Sequence, residues 1–305
     1  MRFAPERVTT PTPAVNAAPQ SAPAASGRAQ RVDGALKLRY AADAQGRTRL
    51  ADLYQRAPCR VLFPQVEPDE PPQAVLLTTS GGLTSGDCLA LDIAVDAGAR
   101  ATLTTQAAEK LYRAADTAEA DTQIDIRLRL AAGAYAEWFA QETIVFDGAR
   151  LRRQLTAELS GDARLLAVES LVFGRTAMRE TLRSGRIHDG WHIRCDGRLV
   201  WADALHLDGD LAALRAKPYG YTSACGSATL VYAGPDAAAQ LELARTRLAA
   251  ASGIAAGATV VNGVLVLRVL ADEATALRAA VIDVAAALRT AVAGLPARLP
   301  RVWHC

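Results

Sequence analysis

Aromatic residues make up only 5% of the chain's 305 residues, and there are four histidines and two methionines. With so few imidazoles, a fixed His/Cys metal cage has little to be built from. No apolar run reaches the roughly 18 residues that a membrane-spanning helix needs. Neither sign of charge dominates: 34 Lys and Arg stand against 32 Asp and Glu, for a net charge of +2. That balance argues against nucleic acid as the main partner. Paired cysteines are lacking too. Cys59, Cys88, Cys195, Cys225 and Cys305 are scattered, odd in number and without a Cys-x-x-Cys, which fits a reducing cytoplasm better than a disulfide framework. What is plentiful is apolar residues, half of the total, ample for a core in one large domain or two small ones.

Residues 1–31 are rich in Pro, Ala and Ser and almost free of acids. They read as a disordered extension, with a transit-type leader as the alternative; no secretory apolar segment is present. The rest, 32–305, divides in character. From 32 to about 230 short β-patterned runs alternate with Gly and Asp, at 35–40, 74–79, 88–95, 99–105, 122–130, 135–146, 151–158, 164–173, 191–194 and 199–207. No helical period of 10–15 residues interrupts them, so the fold class is mainly β. From about 231 to 305 the pattern is helix, hairpin, helix. Asp236 caps a helix over 236–251 with Leu241, Ala244 and Leu248 on one stripe, ended at Gly253. Asn262-Gly263 between apolar runs is a hairpin turn. A second helix starts near Asp272, carries Leu277, Val281, Ala285, Leu288 and Val292 on one face, and ends at Gly294 and Pro296.

A weak repeat runs through the β-rich part. The segments starting at Asp96, Ala131 and Gly161 align by a turn glycine (Gly98, Gly133, Gly161) followed eight residues later by Gln106, Gln141 or Glu169. Coils of an irregular β-helix, or solenoid, would produce this, with equivalent side chains stacked about 4.8 Å apart. Gln106, Gln141 and Glu169 would then form one polar ladder. Chance similarity in an Ala/Gly-rich chain is the other reading.

The stretch 136–149 reads as one strand closed by Asp147-Gly148. Period 2 places Trp138, Ala140, Glu142, Ile144 and Phe146 on one face and Glu137, Phe139, Gln141, Thr143, Val145 and Asp147 on the other. A carboxylate at Glu142, among two aromatics and an isoleucine, costs several kcal/mol unless paired or wetted. An edge strand with one wet face would account for it equally.

The Gly-rich segment 80–87 spaces Gly81, Gly82 and Gly86 like a phosphate loop. Asp87 stands where lysine is required and no helix follows, so a tight turn with Asp87 bonding loop amides is the better reading. His188 and His192 flank Asp189-Gly190 and suggest a hairpin turn before a metal pair. His304-Cys305 reads as a tail. No nucleophile elbow and no complete nucleophile–base–orienter set is found. Glu137, Gln141, Glu142, Asp147, Glu169, Arg175 and Glu180, with Lys110 and Arg113, remain as polar candidates. Paired carboxylates suit glycosidase chemistry on a β-solenoid, or plain ion pairing.

Four linked motifs bring a resemblance. These are 81–87 (Gly-Gly-Leu-Thr-Ser-Gly-Asp), 104–113 with Lys110, Tyr112 and Arg113, 137–149 from Glu137 to Ala149, and 169–175 from Glu169 to Arg175. Together they resemble the UreD (UreH) family of urease accessory proteins, over almost all of 32–305. Local departures fall at Ala140, where the family usually has proline, at Arg179, where it has glycine, and at 57–61. The resemblance implies an irregular β-helical fold with a few helices and no enzymatic activity. It implies a cytoplasmic chaperone that binds UreF, reaches the GTPase UreG through UreF, docks on apo-urease and helps deliver nickel. No tightly bound cofactor is expected, only Ni(II) in transit. A path needs oxygen and nitrogen ligands that release the ion. Gln106, Glu137, Gln141, Glu142, Asp147, Glu169 and Glu180 are its candidates, with Gly81, Gly82, Gly86, Asp87, Lys110, Tyr112, Arg113 and Arg175 as structural or docking residues. A docking scaffold with no metal passage is the alternative.

Overall fold

The structure, a computed structural model, describes residues 31–115, 120–175, 178, 180–217, 221 and 224–304. The extension 1–30, Arg179 and Cys305 lie outside the described residues.

The chain begins with a hairpin, β1 (Asp33–Ala42) and β2 (Thr48–Arg56), then β3 (Cys59–Leu62) and β4 (Gln73–Thr78). It continues through β5 (Cys88–Val95), β6 (Arg100–Thr105), the short β7 (Glu109–Leu111), β8 (Thr122–Leu130), β9 (Tyr135–Phe139), β10 (Thr143–Val145), β11 (Arg150–Leu159) and β12 (Arg164–Phe173). Two long strands, β13 (Ser184–Cys195) and β14 (Arg198–Asp210), lead to the one-turn helix α1 (Leu211–Arg215) and to β15 (Gly226–Ala233). The end is α2 (Leu241–Ala250), β16 (Ile254–Val261), β17 (Val264–Ala271) and α3 (Ala274–Ala293).

Between β4 and β13 the chain passes back and forth between two sheets. One has the order β14-β13-β11-β8-β5-β1-β2; the other runs β16-β17-β15-β12-β9-β6-β4-β3, with β10 and β7 beside it. Within the first, β1, β5, β8, β11 and β13 are parallel; within the second, β4, β6, β9 and β12 are. β8 shows why the first sheet has one wet face: Ile124, Ile126, Leu128 and Leu130 are buried and the charges between them are not. β12 and β15 are instead buried along nearly their whole length, because their sheet is covered on both faces. One core, with Trp138, Ala140, Ala167 and Trp191, fills the space between the sheets. A second, with Tyr135, Phe139, Leu166, Val168 and the apolar stripe of α3, fills the space under the helices. Leu277, Val281, Ala285, Leu288 and Val292 are all in it, as expected. Asn262 and Gly263 both have positive φ in the β16–β17 turn, and Gly294 ends α3 in the left-handed region.

Three expectations need correction. The helix expected over 236–251 is a 3-10 turn, Ala237–Gln240, followed by α2, and Asp236 accepts from Tyr232 Oη instead of capping. The strand expected over 135–146 is broken at Ala140–Gln141–Glu142, because Gln141 leaves the ladder to give its N–H to Thr105 Oγ1 at 2.9 Å. The repeat slips at its third unit. Asp96, Ala131 and Ser160 occupy equivalent turn starts, each closed by a bond from the residue three on. In the first two the positive φ falls at the third position, Gly98 and Gly133, as in a type II turn. In the last it falls at the second, Gly161, as in type II′. Alignment by glycine is therefore one residue out: β6 and β9 are offset by 35, but β9 and β12 by 29. A one-residue slip changes faces, so Glu169 does not continue the line of Gln106 and Gln141.

Candidate functional site

The one-residue offset divides the buried polar residues between the two faces of the ten-stranded sheet. Glu169 on β12 faces the other sheet. There Trp138 Nε1 donates to Glu169 Oε1 at 2.7 Å, and Arg153 of β11 forms an ion pair with the same carboxylate. Arg153 stands at an inward position of β11, between Leu151 and Leu155. It also donates to Asp189, its neighbour on β13, at 2.8 and 2.7 Å, and to Thr143 Oγ1 at 3.1 Å. Burial pushes the Glu169 carboxyl up, against the pull of Arg153.

A cavity of about 260 Å³ ends on this group. Glu169, Arg153 and Trp138 form one part of its lining; Gln106, Gln141, Glu109, Lys110, Gly81 and Gly82 form others. On the far side of Glu169 a void of about 10 Å³ touches Asp189, Asp203, Tyr221 and Arg268, room for about one water molecule. Glu169 thus borders both the cavity and this void, with Arg153 on the cavity side and Asp189 on the other. Glu109, on β7, accepts from Thr78 Oγ1 at 2.8 Å and from the Lys110 amide at 3.2 Å. Burial raises its carboxyl above the ordinary value.

The opposite face of the same sheet meets α3. Glu137, fully buried, accepts from Arg289 Nε and Nη2 at 2.8 and 3.0 Å, from Tyr135 Oη at 2.8 Å and from Thr102 Oγ1 at 2.5 Å. Arg289 also reaches Glu70 at 2.7 Å. Three helical turns earlier on α3, Arg278 donates to Glu142 at 2.7 Å, to Gln141 Oε1 at 2.9 Å and to the Trp303 carbonyl at 2.9 Å. Gln141 Nε2 in turn donates to the Thr105, Gln106 and Val302 carbonyls. Glu142 therefore does not share a face with Trp138; the break in the strand turns it toward the helix.

The remaining candidates form a third group at the ends of β7 and β10. Asp87 accepts from the Thr84 and Val32 amides, both at 2.8 Å, as the tight-turn reading expects. Gly82 has φ +142°, and a Cβ there would stand 2.5 Å from the Tyr112 ring. Tyr112 Oη donates to Gly81 O and its ring meets Phe146 edge-on at 5.0 Å. Arg175 stacks over Phe146 at 4.2 Å and pairs with Glu180 at 2.7 Å. Asp147 accepts from the Arg183 and Ser184 amides at 2.9 Å and from Arg113 at 2.9 Å. Burial alone would raise its carboxyl; these donors hold it below the ordinary value. Gly86 lies over Arg31 and Lys110 is exposed.

Sequence reasoning missed Arg153, Asp189, Glu70, Glu109, Arg278 and Arg289. For the two arginines of α3 a signal existed. Residues 278 and 289 are 11 apart, three helical turns, and so share a face; each directly follows a stripe leucine, Leu277 or Leu288, which puts both at the edge of the apolar stripe. Glu70, in a loop, carries no comparable pattern.

The family model described as UreD urease accessory protein matches residues 32–304. A urease accessory protein UreD of Methylobacterium sp. (strain 4-46) is 46% identical over 281 residues, covering 91% of this chain and 96% of the relative. One of Magnetococcus marinus is 42% identical over 285 residues, covering 92% and 97%. One of Granulibacter bethesdensis is 44% identical over 243 residues, covering 80% and 99%. With a family model spanning nearly the whole described body and relatives at this identity along their full lengths, the chain belongs to the UreD family of urease accessory proteins.

Proposed function

We propose that the chain acts in the cytoplasm as a non-enzymatic scaffold for urease maturation. Its surface binds UreF, UreF brings the GTPase UreG, and the assembly docks on apo-urease. Ni(II), the cargo, passes through the body along polar groups. Family membership over 32–304 carries the maturation role. The alternation of parallel strands between two sheets supports reading the body as a short irregular β-helix, whose interior is available to such a route. Gln106, Gln141 and Glu169 border one cavity even though they do not form a ladder. Carboxylate and amide oxygens suit a borderline ion that must be released again. In this reading Glu169 and Glu109 line the route, while Glu137, Glu142, Asp147 and Glu180, each held by an arginine, lie outside the cavity and would join the route only if those pairs opened.

One observation favours a docking scaffold without passage: Arg153 sits on Glu169 and its charge opposes a cation there. Two experiments separate the readings. Deletion of the chain in its host should abolish urease activity while apo-urease protein remains. Glu169→Gln should lower the nickel content of urease while UreF still co-purifies. Normal nickel loading by that variant leaves the docking scaffold and removes the route.

A further inference from the structure

The four histidines are not spread evenly over the fold. His188, His192 and His206 all lie on the outer face of the β13–β14 hairpin, away from the cavity. Asp189-Gly190 is not a turn, as the sequence suggests, but the middle of β13. His188 and His192 are four residues apart, about 13 Å along a strand, so they do not share an ion. The register instead pairs His188 with His206 across the two strands, ring centres 5.8 Å apart and nearly edge to face. Two imidazoles on one ion, each with a metal–nitrogen distance of about 2.0–2.1 Å, hold their ring centres roughly 4.5–6.5 Å apart. The pair falls within that window without any movement of the backbone.

A third donor stands beside the pair. Gly190, with Ala204 opposite it on β14, has no side chain, and the end of Gln154 lies over it beside the His188 ring. A Cβ at Gly190 would stand 2.5 Å from Gln154 Oε1 and 3.4 Å from His188 Nε2, so both atoms converge over the glycine. Gln154, on β11, gives its Nε2 to Leu155 O at 3.1 Å, which leaves Oε1 on the side of Gly190 and His188. Among the described residues neither ring is taken up by a hydrogen bond. Asp208, two residues beyond His206, pairs with Arg186 at 2.9 Å and places a negative charge beside the His206 ring. Arg152, the register partner of His188 on β11, is the opposing charge.

We infer that His188 and His206, with Gln154 Oε1, form a surface site for one divalent transition-metal ion of the imidazole-preferring kind. Such ions include Ni(II), Cu(II) and Zn(II), whereas Mg(II) and Ca(II) prefer all-oxygen sites. The site does not rest on an interior route, since it lies on the other side of the seven-stranded sheet.

The test is calorimetric titration of the purified full chain with Ni(II) at neutral pH in excess Mg(II). The wild-type chain should bind one ion that His188→Gln and His206→Gln each remove. The double variant should be no worse than either single one, because chelation needs both rings. Gln154→Ala should weaken that ion by about tenfold, and Arg152→Ala should tighten it. His304→Gln, far from this hairpin in sequence, and His192→Gln, about 13 Å from His188 on the same strand, should leave it unchanged. Circular dichroism of each variant checks that the hairpin is intact. An ion retained by His188→Gln or His206→Gln, or losses from the two variants that simply add, would overturn the site.

Discussion

Glu137 and Arg289 form a two-pronged ion pair sealed between the ten-stranded sheet and α3, with contacts of 2.8 and 3.0 Å. Neither side chain has more than 1% of its surface in water. Removing one partner of such a pair leaves a buried charge uncompensated, at a cost of about 3–5 kcal/mol. Glu70 stays beside Arg289, so Glu137→Ala is expected at the lower end, about 3 kcal/mol. Replacing both by leucine should recover most of that. Urea unfolding measures both. Full stability in Glu137→Gln together with poor urease activation would instead place Glu137 on the metal route.

Glu109 gives a pH signature. Its folded-state carboxyl is raised by burial, and its partners are a hydroxyl and an amide. A raised acid costs nothing while both folded and unfolded forms are protonated, and the cost grows as pH rises through the folded value. Glu109→Gln should therefore gain stability relative to wild type as pH rises from about 4 toward 7. Melting temperatures across that range check this; a constant difference would show that Glu109 titrates like an ordinary glutamate.

Asp147 has the opposite sign. Against the effect of burial, two amides and Arg113 hold its carboxyl low. The stabilisation is fully present above the unfolded carboxyl value and is lost as pH falls through the folded one. Asp147→Asn should cost about 2–3 kcal/mol at neutral pH, and the gap should narrow below about pH 4. Denaturant curves at pH 7 and pH 3 give the comparison.

Gly174 follows β12 with φ +84°, and a Cβ there would lie 2.5 Å from the Glu180 carbonyl. Gly174→Ala should cost about 1–3 kcal/mol and loosen the Arg175–Glu180 pair. A reduced melting temperature, with the Arg175→Ala variant as comparison, tests this. If the tip carrying Arg175 and Phe146 docks a partner, Gly174→Ala should also weaken UreF co-purification.

Where one period held, the sequence was legible. β8, the stripe of α3 and the Asn262-Gly263 turn follow from spacing alone, because a half-buried strand or helix writes its burial into its residue order. The β1–β2 hairpin was half seen: β1 alternates, but β2 is exposed along nearly its whole length and carries no burial pattern. The corner turns were recognisable by their glycines, yet the shift of the positive φ from the third turn position to the second is not written in composition. That single shift moved Glu169 to the other face. Glu70 and Glu109 were not recognised, whereas Glu137, Glu142, Asp147 and Glu169 were, one by one. Their arginine partners come from strands and a helix up to 152 residues away, as Arg289 does for Glu137, and no local pattern encodes such pairings.

Gln141 belongs to two neighbourhoods at once. Its amide holds the Val302 carbonyl at 3.1 Å, and the same side chain borders the cavity. The turn Arg301–His304 is therefore moored to the cavity's rim: a change that displaces Val302 removes one of the three carbonyls that fix the Gln141 amide.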